Sequence, residues 1–128
     1  MATRTREKAA ARKENADKRP HASIKHVRIS PRKVSIVLDL IRGKKVADAQ
    51  AILMYTNRVA APEILKLLNS AIANAENNLE MDPGTLVVAE CFAGQGPTLK
   101  RGQPHGRGMW YPILKRTSHI YITLDEAK

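Results

Sequence analysis

From residue 91 to residue 124 the chain runs for 34 residues without one Asp or Glu. The same stretch is broken by Gly94, Gly96, Pro97, Gly102, Pro104, Gly106 and Gly108. Glycines at this density cost a helix too much backbone entropy, and prolines remove donors from a central strand. What remains open is an extended, turn-rich connection. On either side the pattern is β-like. Leu86-Val87-Val88 begins a run that lasts through Phe92, and Ile120, Ile122 and Leu124 alternate with His119, Tyr121 and Thr123. This predicts two antiparallel strands joined by a long hairpin. With about 12 residues per arm beyond the sheet, at about 3.3 Å each, its tip would stand about 40 Å out. Such a ribbon is marginal in water and needs an external surface. A compact domain rarely carries a connection of that length without a use for it.

The cations say what kind of surface. The net charge is +10, but residues 20–90 hold nine Lys/Arg against seven acids and are nearly balanced. The excess lies in residues 1–19, at +4, and in the acid-free stretch, at +5. Charge placed for solubility would be interspersed with acids, so segregation predicts a polyanionic partner contacted at two places. Lys100, Arg101, Arg107, Lys115 and Arg116 mark the hairpin as one of them. Met109-Trp110-Tyr111 adds groups able to stack on bases. A second set, Arg28, Arg32, Lys33, Arg42, Lys44 and Lys45, brackets the first helix. Arg32 and Lys33 fall in that helix's first turn, where positive charge opposes the dipole, which suggests a phosphate outside.

The rest of the chain reads as the body that carries this arm. Residues 1–20 have no large aliphatic side chain after Met1 and are expected to be disordered or loosely helical alone. A strand fits 23–29, with Val27 and Ile29 on one face. Ser30-Pro31 starts a helix, with Ser30 as its cap, and Val34, Val37, Leu38 and Ile41 form its apolar stripe up to a Gly43 stop. A short helix fits 46–54. A long one fits 60–79, carrying Ile64, Leu67, Leu68, Ala71, Ile72 and Ala75, and Asp82-Pro83-Gly84 breaks the chain after it. The order β-α-α-α-β-β predicts an α+β fold: a small three-stranded antiparallel sheet packed with three helices, plus the extended β-hairpin.

Catalytic patterns fail. Ser30-x-x-Lys33 lacks the companion motifs of acyl enzymes. Arg42-Gly43-Lys44 lacks phosphate-loop spacing, and Gly102-x3-Gly106-x-Gly108 lies between strands, not between strand and helix. His21, His26, His105 and His119 show no ligand spacing, and the acid-free stretch offers no carboxylate to orient a base. No enzyme, metal or cofactor is expected. One cysteine, Cys91, permits no intrachain disulfide and reads as core. No apolar run reaches about 20 residues, and the N-terminus lacks a signal peptide's apolar stretch, so a soluble intracellular domain is expected.

Four segments carry a resemblance. They are Ile29-Ser30-Pro31-Arg32-Lys33, Asp39-Leu40-Ile41-Arg42-Gly43-Lys44, Leu68-Asn69-Ser70-Ala71-Ile72-Ala73-Asn74-Ala75-Glu76-Asn77-Asn78 and Leu114-Lys115-Arg116-Thr117-Ser118-His119-Ile120. In this order, across about 21–124, the chain resembles the family of bacterial large-subunit ribosomal protein twenty-two. The resemblance implies a structural, non-enzymatic constituent of the large ribosomal subunit, in the cytoplasm, that binds 23S-type rRNA across several domains and supports early assembly. It implies a hairpin lining the polypeptide exit tunnel near a constriction shared with large-subunit protein four. Neighbouring ribosomal proteins and, transiently, the nascent peptide would be its other partners, with no membrane. It implies a basic extension at 1–20, one α+β domain at 21–128, a hairpin at about 85–124 and a tip at about 99–108. Through its last motif it adds His119 to the rRNA-binding residues. It sets Gly102, Gln103, Pro104, His105 and Gly106 at the tunnel face. The tip departs from the family pattern: it is less arginine-rich, with Gly106 in place of Ala and with Met109-Trp110-Tyr111-Pro112 where a more polar stretch is usual. Without the resemblance, the competing reading is a regulatory module that reads duplex nucleic acid with the hairpin.

Overall fold

The structure is a computed structural model that describes residues 2–15 and 17–127. Met1, Ala16 and Lys128, which fall in the expected 1–20 and 21–128 segments, lie outside the described residues. Helix α1 (Ala2–Glu14) comes first, and its residues 3–14 have their side chains exposed. Strand β1 (His21–Val27), helices α2 (Pro31–Ile41), α3 (Val46–Tyr55) and α4 (Ala60–Leu79), and strands β2 (Leu86–Gln95), β3 (Leu99–Pro104), β4 (Trp110–Lys115) and β5 (Ser118–Glu126) follow.

The body sheet has the order β1-β5-β2, antiparallel throughout, so the C-terminal strand is central. Its alternation explains the position: Ile120, Ile122 and Leu124 are fully buried. Helix α2 packs on β2, and α4 packs on β1 and β5. Val34, Val37, Leu38 and Ile41 from α2 meet Ile64, Leu68, Ala71 and Ala75 from α4 in one core with Leu86 and Val88. Alanines at 71 and 75 let α4 approach the sheet closely. Gly43 ends α2 in the left-handed region at φ +72°, which leaves its N–H free to bond the Val88 carbonyl at 2.9 Å. Lys44 completes the cover of the β2 edge by accepting from the Val88 N–H.

Three local expectations differ from what forms. Strand β1 starts at His21 rather than 23, because the Pro20 carbonyl accepts from the Leu124 N–H and sets the register early. Ala22, Ile24 and Val27 face inward; Ile29 packs on the same core as Val27 but lies past the strand's end at Val27. The register slips between Ile24 and Val27, where His26 takes φ +61°. The Ser30 side chain makes no cap hydrogen bond; its carbonyl instead accepts from the Lys33 and Val34 N–H groups.

The hairpin leaves the body where β2 and β5 stop pairing, at Gln95 opposite Ser118. Beyond this, β3 and β4 pair with each other alone, from Leu99↔Lys115 to Pro104↔Trp110. The free arm is therefore about ten residues long and reaches roughly 33 Å, less than the 40 Å read from sequence, because β2 stays in the body sheet as far as Gln95. The turn is His105–Met109, closed by a 2.8 Å bond from the His105 N–H to the Met109 carbonyl.

Candidate nucleic-acid interface

Every residue of β3 and β4 is exposed. The arm has no core. What order it has comes from ladder bonds and two side-chain contacts. The Trp110 indole lies across Gly102, in the space a Cβ would fill, and His105 sits edge-on to Tyr111 with ring centroids 4.6 Å apart. One glycine thus serves an intramolecular contact rather than the close approach of an external backbone. At the turn Arg107 takes φ +59°, a conformation unusual for a residue with a Cβ, and its side chain is exposed. Lys100, Arg101, Lys115 and Arg116 are exposed along the two arms, and Gln103, Pro104, His105 and Gly106 are exposed at the end.

The root is built differently. Thr117 and Ser118 are buried. The Thr117 hydroxyl donates to the Pro97 carbonyl at 2.6 Å, and the Gly96 N–H donates to the Thr117 carbonyl at 2.9 Å. A Cβ at Gly96 would stand 2.5 Å from the Thr117 Oγ1. His119 accepts from the His26 N–H through Nδ1 at 3.0 Å, and the two rings meet edge-to-face at 4.8 Å. A backbone N–H can donate only to an unprotonated ring nitrogen, so this contact fixes the tautomer of His119 with its proton on Nε2. His119 therefore closes the β1 irregularity at the base of the arm.

Beside this root, Arg28, Ile29, Ser30, Lys33, Val59, Leu114, Lys115 and Arg116 line one open groove. Four of the cations singled out from sequence converge there, from β1's end, α2 and β4. No carboxylate is among the described lining residues. Helices α2 and α4 both start at this groove, and neither N-terminus has a side-chain cap. The positive ends of their backbone dipoles add to the potential of the side chains. Arg32 is exposed in the same first turn of α2.

The other three cations of the set bracketing the first helix are not part of it. Arg42, Lys44 and Lys45 lie past the far end of α2, about 16 Å along its axis. Arg42 is also occupied: its guanidinium bonds the Cys91 carbonyl at 3.0 Å and Asp39 at 2.8 Å. The set that brackets the first helix in sequence is thus two patches in space. Sequence reading missed Arg58, which lines, together with Lys33, an adjoining apolar recess formed by Ile29, Ile36, Val37, Val59 and Ala60. As a single cation in the nearly balanced middle of the chain, Arg58 had no charge run to reveal it.

Near the body's other end, Arg19 links Asp17 to Glu90 of β2, at 2.6 and 3.0 Å. Its hydrogen bonds hold the Asp17 carboxyl down at about 2. Burial pushes the Cys91 thiol up.

A model of the family described as Ribosomal protein L22p/L17e matches residues 22–125. The large ribosomal subunit protein uL22 of Clostridium tetani is 61% identical over 107 residues, covering 84% of this chain and 96% of the relative. Those of Clostridium beijerinckii and Clostridium novyi are 57% and 55% identical over 105 residues, each covering 82% of this chain and 95% of the relative.

Proposed function

Since the chain belongs to the ribosomal protein L22p/L17e family, we propose that it is a structural constituent of the bacterial large ribosomal subunit, in the cytoplasm, and that it acts by binding large-subunit rRNA. The observation that carries this reading is an acid-free two-stranded arm, exposed along its whole length, rooted beside a groove with four cations and no described carboxylate. A ribbon without a core gains its order from what surrounds it. A folded RNA supplies that surrounding together with the counter-charge. The arm and the body groove face different parts of such an RNA, which suits contact with several RNA domains and a role early in assembly. The slender tip, with Gly106 open on its outer side, suits the wall of the peptide exit tunnel near large-subunit protein four, with nascent peptide passing Gly102, Gln103, Pro104, His105 and Gly106. The candidate rRNA-binding residues are those named from sequence, with the groove set of Arg28, Lys33, Lys115 and Arg116, and Arg32 in the adjoining first turn of α2, placed first.

Two experiments test this. The protein should co-sediment with large subunits after a high-salt wash. Its affinity for isolated large-subunit RNA should fall with salt with a log–log slope of roughly −4 to −5 if about six phosphates are contacted. A slope near zero, or a preference for a short duplex over folded RNA, would favour a regulatory duplex reader instead. For the tunnel assignment, a photoreactive residue at Gln103 in intact ribosomes should crosslink to nascent peptide. Crosslinks to RNA alone, at every chain length able to reach the site, would remove that assignment.

A further inference from the structure

The recess beside the basic groove does not need to be apolar for a protein that merely meets phosphates. Its walls are Ile29, Ile36, Val37, Val59 and Ala60, and its volume is about 290 Å³. Ile36, midway along α2, is 64% exposed, and Val59, at the N-terminus of α4, is 80% exposed. Two cations, Lys33 and Arg58, border the recess. Ile29, Lys33 and Val59 line both this recess and the groove that holds Arg28, Lys115 and Arg116. The two are one continuous surface, apolar at one end and cationic at the other.

We propose that this recess receives a single unstacked nucleobase of the bound RNA, with the flanking phosphates held by Lys33 and Arg58. The inference rests on the rRNA-binding reading and specifies the kind of nucleotide its body groove takes. The size is suited to one flat group rather than a chain segment, since pockets for drug-sized ligands begin at about 300 Å³. The aliphatic walls provide dry contact for the faces of a base, and a planar guanidinium is itself a surface on which bases stack. Charge decides between RNA and protein. Five cations border the joined surface, and its described lining holds no carboxylate. An apolar side chain of a protein would bring no counter-charge of its own, whereas each nucleotide brings an anion with its base. The occupant is therefore an unpaired position, a bulge or a loop, and not a duplex.

The test uses the full chain and large-subunit RNA. A diazirine analogue of leucine, close to Ile in size, is placed at position 36, and the protein is assembled into large subunits and irradiated. Crosslinks to the base of one unpaired rRNA nucleotide are expected. In parallel, Ile36→Asp should weaken binding to isolated large-subunit RNA about tenfold, the scale of one lost base contact. Leu79→Asp, at a comparably exposed apolar position on the far end of α4, should leave it unchanged. Because Ile36 is largely exposed, its replacement leaves the core intact, and far-UV circular dichroism checks this. Crosslinks only to protein or only to paired nucleotides overturn the proposal, as does unchanged affinity of Ile36→Asp. If the unaltered chain itself fails to bind the RNA, the rRNA-binding reading falls, and this inference with it.

Discussion

The arm's direction depends on how its root is packed, and Gly96→Ala tests that. The added methyl would stand 2.5 Å from the Thr117 Oγ1 and 3.2 Å from the His119 ring. The hydroxyl cannot move aside freely. Thr117 is 5% exposed, and its Oγ1 is committed to the Pro97 carbonyl at 2.6 Å. Overpacking at a tight site costs about 1–3 kcal/mol, and losing the hydroxyl bond adds about 1 kcal/mol. Gly96→Ala should therefore destabilise the protein by about 2–3 kcal/mol, lowering Tm by roughly 10 °C. Thr117→Ala alone loses the bond, at about 1 kcal/mol, because the Pro97 carbonyl can turn to water. The double variant has no hydroxyl to strike. It should cost little more than Thr117→Ala, giving a coupling of about 2 kcal/mol in a double-mutant cycle. Urea unfolding followed by far-UV circular dichroism measures all four proteins. Additive costs would mean that the clash at Thr117 is not what Gly96 avoids, and the account of a rigid root would be wrong.

Other expectations follow from the same packing. Replacing 98–110 by a short turn, which keeps the Pro97 carbonyl that Thr117 bonds, should leave Tm nearly unchanged while abolishing stable incorporation into subunits; a large loss of Tm would show that the arm packs on its own body. Amide exchange in the free protein should be fast in β3 and β4 and slow in α4 around Ile64 and Leu68, which are fully buried. The Asp17 carboxyl lies below its ordinary 3.8, so the Asp17–Arg19 contact contributes above that pH and is lost as pH falls through about 2. Carbon-13 NMR titration should show this, and Arg19→Gln should return Asp17 toward the ordinary value. Cys91 is buried with its thiol pushed up, so alkylation at pH 8 should proceed only as fast as the body opens, and stability should fall as pH rises past 9.0, the ordinary thiol value.

The parts of the fold that were legible in sequence are those whose local signals and tertiary packing agree. Pro31, the stripe from Val34 to Ile41, and Gly43 bound α2 as expected, and α4 runs from Ala60 to Leu79. The strand β5 declares itself by Ile120, Ile122 and Leu124. The irregularity in β1 was not legible, because its cause is a bond from His26 to His119, 93 residues away, that holds a His backbone at φ +61°. Ser30 looks like a cap by residue type, yet its side chain goes unused while its carbonyl takes both bonds. For the interface, charge runs located Arg28, Lys33, Lys115 and Arg116 but could not say that they share a groove. Nor could they reveal that Arg42 is turned onto Cys91 and Asp39, or that lone Arg58 lines the same recess as Lys33.

The division of the chain into a body that folds and an arm that does not bury anything has a consequence for where sequence constraint comes from. In the body, Leu38, Ile64, Leu68 and Ile122 are fully buried, and truncating any one to Ala costs about 2–5 kcal/mol. The fold itself dictates those residues. In β3 and β4 no such penalty exists, since every side chain is exposed. Changes at Lys100, Arg101 or Arg107 should shift the stability of the free protein by less than about 0.5 kcal/mol. Folding therefore cannot be what excludes acids from the arm at residues 99–115, where no cation forms an ion pair among the described residues and every side chain of the two strands is exposed. On the rRNA-binding reading proposed above, the constraint acts in the bound state, where a single carboxylate set against phosphate is repelled and left without its water. On that reading the acid-free run belongs to the complex rather than to the fold, and a signal of that kind is readable from the sequence of one partner before any fold is known.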